Sequence, residues 1–187
     1  MKKKLSEMNL EELWQLFPIY LQEYRPCWKD WYAQETAFLK GVLIQAERIS
    51  HIGSTAVGFI WAKPIVDILV EIPQGSDLGD FKALLTSNGY TCMWQGEDQI
   101  SFNKGYTEDG FAEKVFHLHL RYRGDNDELY FRDYLIDHPD AAQEYQEMKL
   151  KLWKEYEHDR DGYTNAKTGF IKSHTEKAKT EYGKRYK

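Results

Sequence analysis

The run Ile-Val-Asp-Ile-Leu-Val-Glu-Ile at residues 65–72 restricts the fold more than any other segment of the chain. Pro64 precedes the run and Pro73 follows it, so two residues without a backbone N–H donor bound it. An almost continuous apolar run of this length is typical of an interior strand that is covered on both faces. The run therefore predicts a layered fold built on a sheet, with one carboxylate, Asp67, inside that sheet.

The segments around this strand predict an α+β arrangement. Apolar residues at spacings of three and four predict an N-terminal helix, kinked or restarted at Pro18, and a second helix from about 28 to 46. Further strands are predicted at 48–52, 90–95, 99–104 and 114–122, with a helix at 77–88 between them. From about residue 125 the pattern is helical, with breaks near 138–139 and 161–162. We therefore expect a mixed β-sheet flanked by helices, with a helical C-terminal third.

Length and charge narrow the class of protein. A chain of 187 residues, 42% of them hydrophobic, can bury a core without disulfides, and it predicts a single domain over 1–187 with its core at about 24–172. The net charge of −5 excludes a uniformly basic nucleic-acid coat. The C-terminal helix at 173–187 is basic, and either a solvated helix end or an RNA contact would explain it.

The sequence shows neither a recognisable targeting signal nor a paired-cysteine motif. No apolar stretch approaches the length of a membrane span, and no apolar region follows Lys2, Lys3 and Lys4 as in a secretory signal. Cys27 and Cys92 form no CxxC pair. We therefore expect a cytoplasmic protein with free thiols and no membrane partner.

Gly53 and Ser54 follow the predicted strand at 48–52 directly. A Gly-Ser turn at a strand end offers backbone N–H groups and a hydroxyl that can hold phosphate oxygens. Asp67 follows inside an apolar strand, where a carboxylate is costly to bury unless it is paired or holds a cation. This layout resembles the nucleotidyltransferase fold of the polymerase-β kind. An ordinary turn followed by a hydrogen-bonded aspartate would explain the same residues.

Longer segments resemble the GrpB family, over about residues 24–172. The matching segments are Tyr24–Trp28, His51–Val57, Ala62–Val70, His117–His119, Phe131–Leu135, His138-Pro139 and Tyr163–Lys167. The resemblance implies membership of the nucleotidyltransferase superfamily; the family itself is largely uncharacterised and also occurs fused to dephospho-coenzyme A kinase. The chain departs from the family pattern at Gly58-Phe-Ile-Trp61, where the family usually reads Pro-Gly-Leu-Ala. We expect a differently shaped turn beneath any bound nucleotide.

The residue at position 69 bears on whether the resemblance to nucleotidyltransferases extends to their catalytic activity. Active nucleotidyltransferases usually carry a second acidic residue two positions after the first, and here that position is Leu69. Two-metal catalysis of the usual kind is therefore in question. His117 and His119 are two apart on a predicted strand, so both imidazoles point to one face. With Asp67 they form a candidate set for a divalent metal, better suited to Zn²⁺ or Mn²⁺ than to Mg²⁺. Hydrogen-bonded sheet histidines are the alternative.

The candidate site follows from these patterns. Its catalytic and metal-ligating candidates are Asp67, His117 and His119, and its ligand-binding candidates are His51, Gly53, Ser54, Thr55 and Lys63. Tyr163 and Lys167 share a helix face and either close the pocket or pack. The functional hypothesis is a nucleotidyltransferase-like protein that binds a nucleotide or another phosphate-containing ligand. The alternative is a non-catalytic ligand- or metal-binding domain.

Overall fold

The structure, a computed structural model, describes residues 3–186. Met1, Lys2 and Lys187, which the sequence analysis includes in the domain and its basic tail, lie outside the described residues. Within this range the α-helices are α1 (Leu10–Leu16), α2 (Cys27–Val42), α3 (Ser54–Val57), α4 (Leu78–Ser87), α5 (Asp127–Asp137), α6 (Pro139–Glu155) and α7 (Arg160–Tyr182). The strands are β1 (Arg48–Ile52), β2 (Val66–Ile72), β3 (Thr91–Gln95), β4 (Gln99–Thr107) and β5 (Gly110–Tyr122).

The five strands form one mixed sheet in the order β1-β2-β5-β4-β3. Strands β2 and β5 are parallel, whereas the other three neighbouring pairs are antiparallel. The apolar run at 65–72 thus forms an interior strand between β1 and β5, as its composition predicts. The expected α+β fold, with a helical C-terminal third, is confirmed.

The two faces of the sheet are covered differently. One face, which includes Ile68, packs against α2 through Trp28 and Leu39 and against α4 through Phe81 and Leu85. Each such buried side chain contributes about 1.5–3 kcal/mol. On the opposite face Leu69 packs with residues of β1 and α5, and the helices α5 to α7 lie on that side. The opposite face carries Asp67, and it forms the floor of the site.

Several helix boundaries differ from the sequence expectation. Helix α1 ends at Leu16, before Pro18, and does not continue as a kinked helix. Helix α2 stops at Val42, four residues short of the predicted end. The predicted break at 161–162 is wrong, because α7 begins at Arg160 and Gly162 lies in its first turn. The Asp159 side chain caps this helix by accepting a hydrogen bond from the Gly162 N–H at 2.8 Å.

The basic C-terminal segment folds back onto α5. Lys179 forms an ion pair with Asp127 at 2.7 Å, and Arg185 forms one with Asp133 at 2.9 Å. Part of the segment's positive charge is therefore neutralised within the fold. None of the helices between residues 3 and 186 is both long and apolar enough to span a bilayer.

Glu71 is the second carboxylate of β2, and its side chain is completely buried. It forms an ion pair with Arg48 and accepts hydrogen bonds from Asn126 Nδ2 at 2.9 Å and from the Gly124 backbone at 3.2 Å. Burial alone would raise the pKa of Glu71, but the bonds from Arg48 and Asn126 lower it below its usual value. Glu71 therefore ties β1 and the start of α5 to the sheet.

We expect Glu71→Ala to lower the free energy of unfolding by about 3 kcal/mol, because Arg48 and Asn126 would lose a buried acceptor. Glu113 provides a matched control, since its side chain is exposed on β5. Glu113→Ala should change the free energy of unfolding by no more than about 0.5 kcal/mol. Urea denaturation at neutral pH measures both variants, and equal effects would contradict the role assigned to Glu71.

Candidate functional site

A row of paired residues crosses the sheet and forms the floor of the site. The strand register places Ile52 opposite Asp67, Asp67 opposite His117, His117 opposite Asn103, and Asn103 opposite Thr91. Directly paired residues share a face of the sheet, so the five side chains lie side by side. All five line one cavity with a volume of about 1030 Å³. Asp67 and His117 are therefore direct neighbours in the sheet.

The Gly53-Ser54 turn lies directly over Asp67. Gly53 has a φ of +69°, and a Cβ atom added to it would lie 2.3 Å from Asp67 Oδ2. No other residue fits here without moving the carboxylate, so the close approach explains the glycine. The turn and Asp67 thus meet, as the resemblance to the nucleotidyltransferase layout implies.

A chain of hydrogen bonds orients the His117 imidazole. The Asp67 carboxylate only accepts hydrogen bonds, so Nδ1 of His117, 3.3 Å from Asp67 Oδ1, carries the proton. Burial lowers the pKa of His117, so its Nε2 is unprotonated and accepts from the Tyr106 hydroxyl at 2.9 Å. That hydroxyl in turn accepts a hydrogen bond from Arg160 at 2.8 Å. Both ring nitrogens of His117 are therefore engaged within the protein.

A β-bulge at Gly105 brings Tyr106 to this face. The β4–β5 register shifts between Lys104 and Tyr106, and Gly105 has a φ of +93°. A Cβ atom on Gly105 would lie 2.3 Å from the Lys114 carbonyl oxygen. Without the extra residue, Tyr106 would lie on the face opposite to Asn103; with it, both line the cavity. The bulge also explains why β4 continues to Thr107, whereas the sequence predicts its end at 104.

The three predicted metal ligands lie close together around the Asp67 carboxylate. His119 Nε2 lies 4.0 Å from Asp67 Oδ1, and His117 has no free ring nitrogen because Asp67 and Tyr106 occupy both. Among residues 3–186, no three His, Cys, Asp or Glu side chains are arranged to hold a metal ion. In this arrangement the donor set does not fit a divalent metal. Metal binding stays a prediction.

Ser54 is held by a lysine that the sequence analysis does not single out. Lys149 of α6 is 2% exposed, and its Nζ donates a hydrogen bond to Ser54 Oγ at 2.9 Å and another to the Trp61 carbonyl. The same nitrogen lies 4.8 Å from the centre of the Tyr145 ring. Lys149 thus joins the Gly53-Ser54 turn to the segment where the chain departs from the family pattern.

Lysines of the loop before β2 and of α7 flank the same part of the cavity. Lys63 Nζ lies 5.4 Å and Lys167 Nζ lies 4.1 Å from the centre of the Tyr163 ring. Burial, with the charges of Lys167 and Arg160, lowers the pKa of Lys63 to about 7. Burial and the charge of Arg160 also lower the pKa of Lys167 to about 8, against the opposing effect of Asp67. For Lys149, burial and the two other lysines lower the pKa well below its usual value.

His51 and Thr55, both predicted to bind ligand, form a hydrogen bond with each other, and of the two only Thr55 lines the cavity. His51 pairs with Ile68 in the register, so it lies on the face opposite to Asp67, where it stacks on Tyr32 at 4.6 Å. Thr55 is 1% exposed and donates to the Ile65 carbonyl, so it accepts from His51 Nε2 at 2.9 Å. Burial lowers the pKa of His51 to about 4, and the imidazole is therefore neutral. The register therefore places His51, a predicted ligand contact, away from the cavity that Asp67 lines.

The cavity that contains the Gly53-Ser54 turn and Asp67 is also lined by the cationic side chains Lys63, Lys149, Arg160, Lys167 and Lys172 and by the carboxylates of Asp127, Glu128, Asp161 and Glu176. Only Lys63 is among the ligand-binding residues predicted from the sequence. Lys167 is noted there as sharing a face with Tyr163, but Lys149 and Arg160 are separated from Ser54 by about a hundred positions and carry no local signal. Their contribution emerges only when α6 and α7 pack over the sheet.

Comparison with known proteins gives a consistent result. Residues 18–177 match the family described as GrpB protein. The chain is 31% identical over 183 residues to the UPF0157 protein YqkA of Bacillus subtilis, covering 94% of this chain and 52% of that protein. It is 36% identical over 147 residues to a UPF0157 protein of Pseudomonas aeruginosa, covering 76% of this chain and 60% of that protein. The chain therefore spans between half and two thirds of the length of these relatives.

Solved structures are also similar. The crystal structure of conserved protein GrpB from Enterococcus faecalis has a TM-score of 0.74 and 28% identity, covering 87% of this chain and 99% of that one. The Cid1 poly(U) polymerase with Mg 3′-dATP bound has a TM-score of 0.49 and 12% identity, covering 84% of this chain and 51% of that one. The second similarity is too low to bear on function. From the family match and the similarity to its curated relatives, the chain belongs to the GrpB family.

Proposed function

We propose that the cavity binds a small molecule rich in phosphate, a nucleotide, with its phosphates between Ser54 and the cationic side chains. The observation that carries this proposal is the convergence of Lys63, Lys149, Lys167 and Arg160 on one cavity. Lysine ammonium groups bind phosphate as point charges, and a hydroxyl beside them supplies a further hydrogen bond. The function is therefore binding of a polyanion at a site that the protein has built in advance.

Electrostatics support this assignment. The lowered pKa values of Lys63 and Lys167 reflect burial and repulsion from neighbouring cations, with Asp67 as the acidic group that opposes the shift. For Lys149 the charges that act on it are those of the two other lysines. A bound polyanion would relieve this repulsion. Part of the binding free energy would therefore come from removing the unfavourable interaction between cations in the free protein.

Group transfer lies outside this proposal. Placement of the family in the nucleotidyltransferase superfamily makes transfer of a nucleotidyl group the natural extension. Leu69 is fully buried at the position where a second acid would lie, and it packs with Ile52 and Leu129. Since the neighbouring carboxylate Glu71 is engaged by Arg48, Asp67 is left without a carboxylate partner on its strand.

Removing one cation should weaken binding strongly. We expect Lys167→Gln to lower the affinity for inorganic tripolyphosphate at neutral pH about tenfold, the loss of one charge-assisted hydrogen bond. Lys177→Gln is the matched control, because it makes the same charge change on an exposed part of α7 outside the cavity. Isothermal titration calorimetry measures both. If both variants lose the same affinity for tripolyphosphate, the contribution of Lys167 is only a long-range electrostatic attraction and not a direct contact.

Binding of an anion should weaken as the pH rises. The pKa of Lys63 is about 7 and that of Lys167 about 8. Both lysines are charged below these values, so binding is strongest there and is lost as they deprotonate. Sulfate keeps its charge over this range, and we expect its stabilising effect on the melting temperature to fall between pH 6.5 and 9. Lys63→Met should flatten the profile. Chloride at equal ionic strength is the control. If the extra stabilisation of the wild type by sulfate does not change with pH, the link between lysine protonation and anion binding is refuted.

A divalent metal at Asp67, His117 and His119 is the second candidate, favoured by their mutual proximity. We propose that metal binding there requires the His117 proton to move from Nδ1, which faces Asp67, to Nε2, which faces the Tyr106 hydroxyl. On this proposal Zn²⁺ or Mn²⁺ raises the melting temperature of the wild type, and the rise is larger for Tyr106→Phe, in which no hydroxyl donates to Nε2 and holds the proton on Nδ1. His119→Ala should remove it. If neither the wild type nor Tyr106→Phe responds, the metal proposal fails while the phosphate site stands.

A further inference from the structure

One wall of the cavity is apolar, although it belongs to the same space as the cationic end. Helix α1 contributes Leu10, Leu13 and Trp14 to the lining, and Met93 of β3 lines it as well. Leu10 is 62% and Met93 59% exposed, and no residue of α1 is buried. The helix thus turns its apolar side chains towards the cavity without covering them with other parts of the described chain.

Specific contacts connect this wall to the floor of the site. Phe17, directly after α1, packs against Tyr106 with ring centres 4.7 Å apart. Tyr106 is the residue that binds His117 and Arg160. In addition, the Trp14 carbonyl lies 3.3 Å from His158 Nδ1. The apolar wall is therefore held in place relative to the cations.

The size of the cavity exceeds what phosphate groups need. Its volume of about 1030 Å³ is at the upper end of the range for small-molecule sites. A ligand made of phosphates alone would leave the leucines and the indole in contact with water. A ligand with an apolar group beside its phosphates would cover them, and the opposed character of the two ends fixes its orientation.

We propose that the flat aromatic base of a nucleoside polyphosphate packs on Trp14, with Leu10 and Met93 beside it. This inference rests on the proposed phosphate site and names its substrate class. Leucine and methionine side chains offer no hydrogen-bond donor to read the edges of a base, and stacking tolerates any base because each has a π-face. The wall formed by Trp14, Leu10 and Met93 therefore favours no particular base of a nucleoside triphosphate.

The test compares ATP, CTP and inorganic tripolyphosphate by calorimetry. The wild type should bind both nucleotides about tenfold more tightly than tripolyphosphate, the gain typical of one stacked base. Trp14→Ala should reduce this ratio to about one and leave the affinity for tripolyphosphate unchanged. Trp94→Ala is the matched control, because Trp94 is 52% exposed on β3 but does not line the cavity. It should behave as the wild type.

Two further variants keep the outcome interpretable. Trp14→Phe retains an aromatic face and should recover most of the ratio. Leu10→Asn alters an exposed residue and should lower it even if Trp14→Ala proves unstable. If tripolyphosphate binds but nucleotides bind no more tightly, the base subsite is refuted and the phosphate site stands. If tripolyphosphate does not bind at all, the proposed function itself fails.

Discussion

The contact between Gly53 and the Asp67 carboxylate determines where every other part of the site can lie. Strand β1 runs antiparallel to β2, and their register ends β1 at Ile52, opposite Asp67. The next residue must therefore cross over the carboxylate, and only glycine leaves room for it. From this crossing Ser54 points to Lys149, and the row through His117 extends to the far edge of the sheet. The turn and the floor of the cavity are thus a single unit.

The electrostatic balance of the cavity follows from that unit. Asp67 is partly buried, and burial alone would raise its pKa; the interactions with His117 and His119 lower it instead. The carboxylate therefore stays ionised while the His117 imidazole beside it stays neutral. Asp67 is the carboxylate whose charge acts on Lys63 and Lys167, while Asp127, Glu128, Asp161 and Glu176 also line the cavity. The cavity therefore carries both signs of charge, and Lys149 lies directly against the Gly53-Ser54 turn.

Much of the fold could be predicted from the sequence, because the decisive signals are local. The apolar run with its flanking prolines predicts the interior strand, and the resemblance to the nucleotidyltransferase layout implies that the Gly-Ser turn lies beside Asp67. The face of the sheet on which a side chain lies, and the distant residues that it contacts, were harder to predict. His51 lies in a correctly predicted strand, yet the register places it behind the sheet. Lys149 and Arg160 reach the site only through helix packing, which no residue spacing in a single sequence encodes.

The bulge at Gly105 determines which side chain at the end of the β4–β5 hairpin faces the cavity. Successive side chains of a strand normally point to alternate faces of the sheet. One inserted residue reverses this alternation for every residue beyond it. Here the reversal is confined to the end of a hairpin, so it re-aims one tyrosine and leaves the paired core intact. The hairpin is thus a place where the lining of the cavity can be altered by length rather than by substitution. Because that tyrosine binds both His117 and Arg160, a change in hairpin length would alter the hydrogen bonds at the floor together with the shape of the rim.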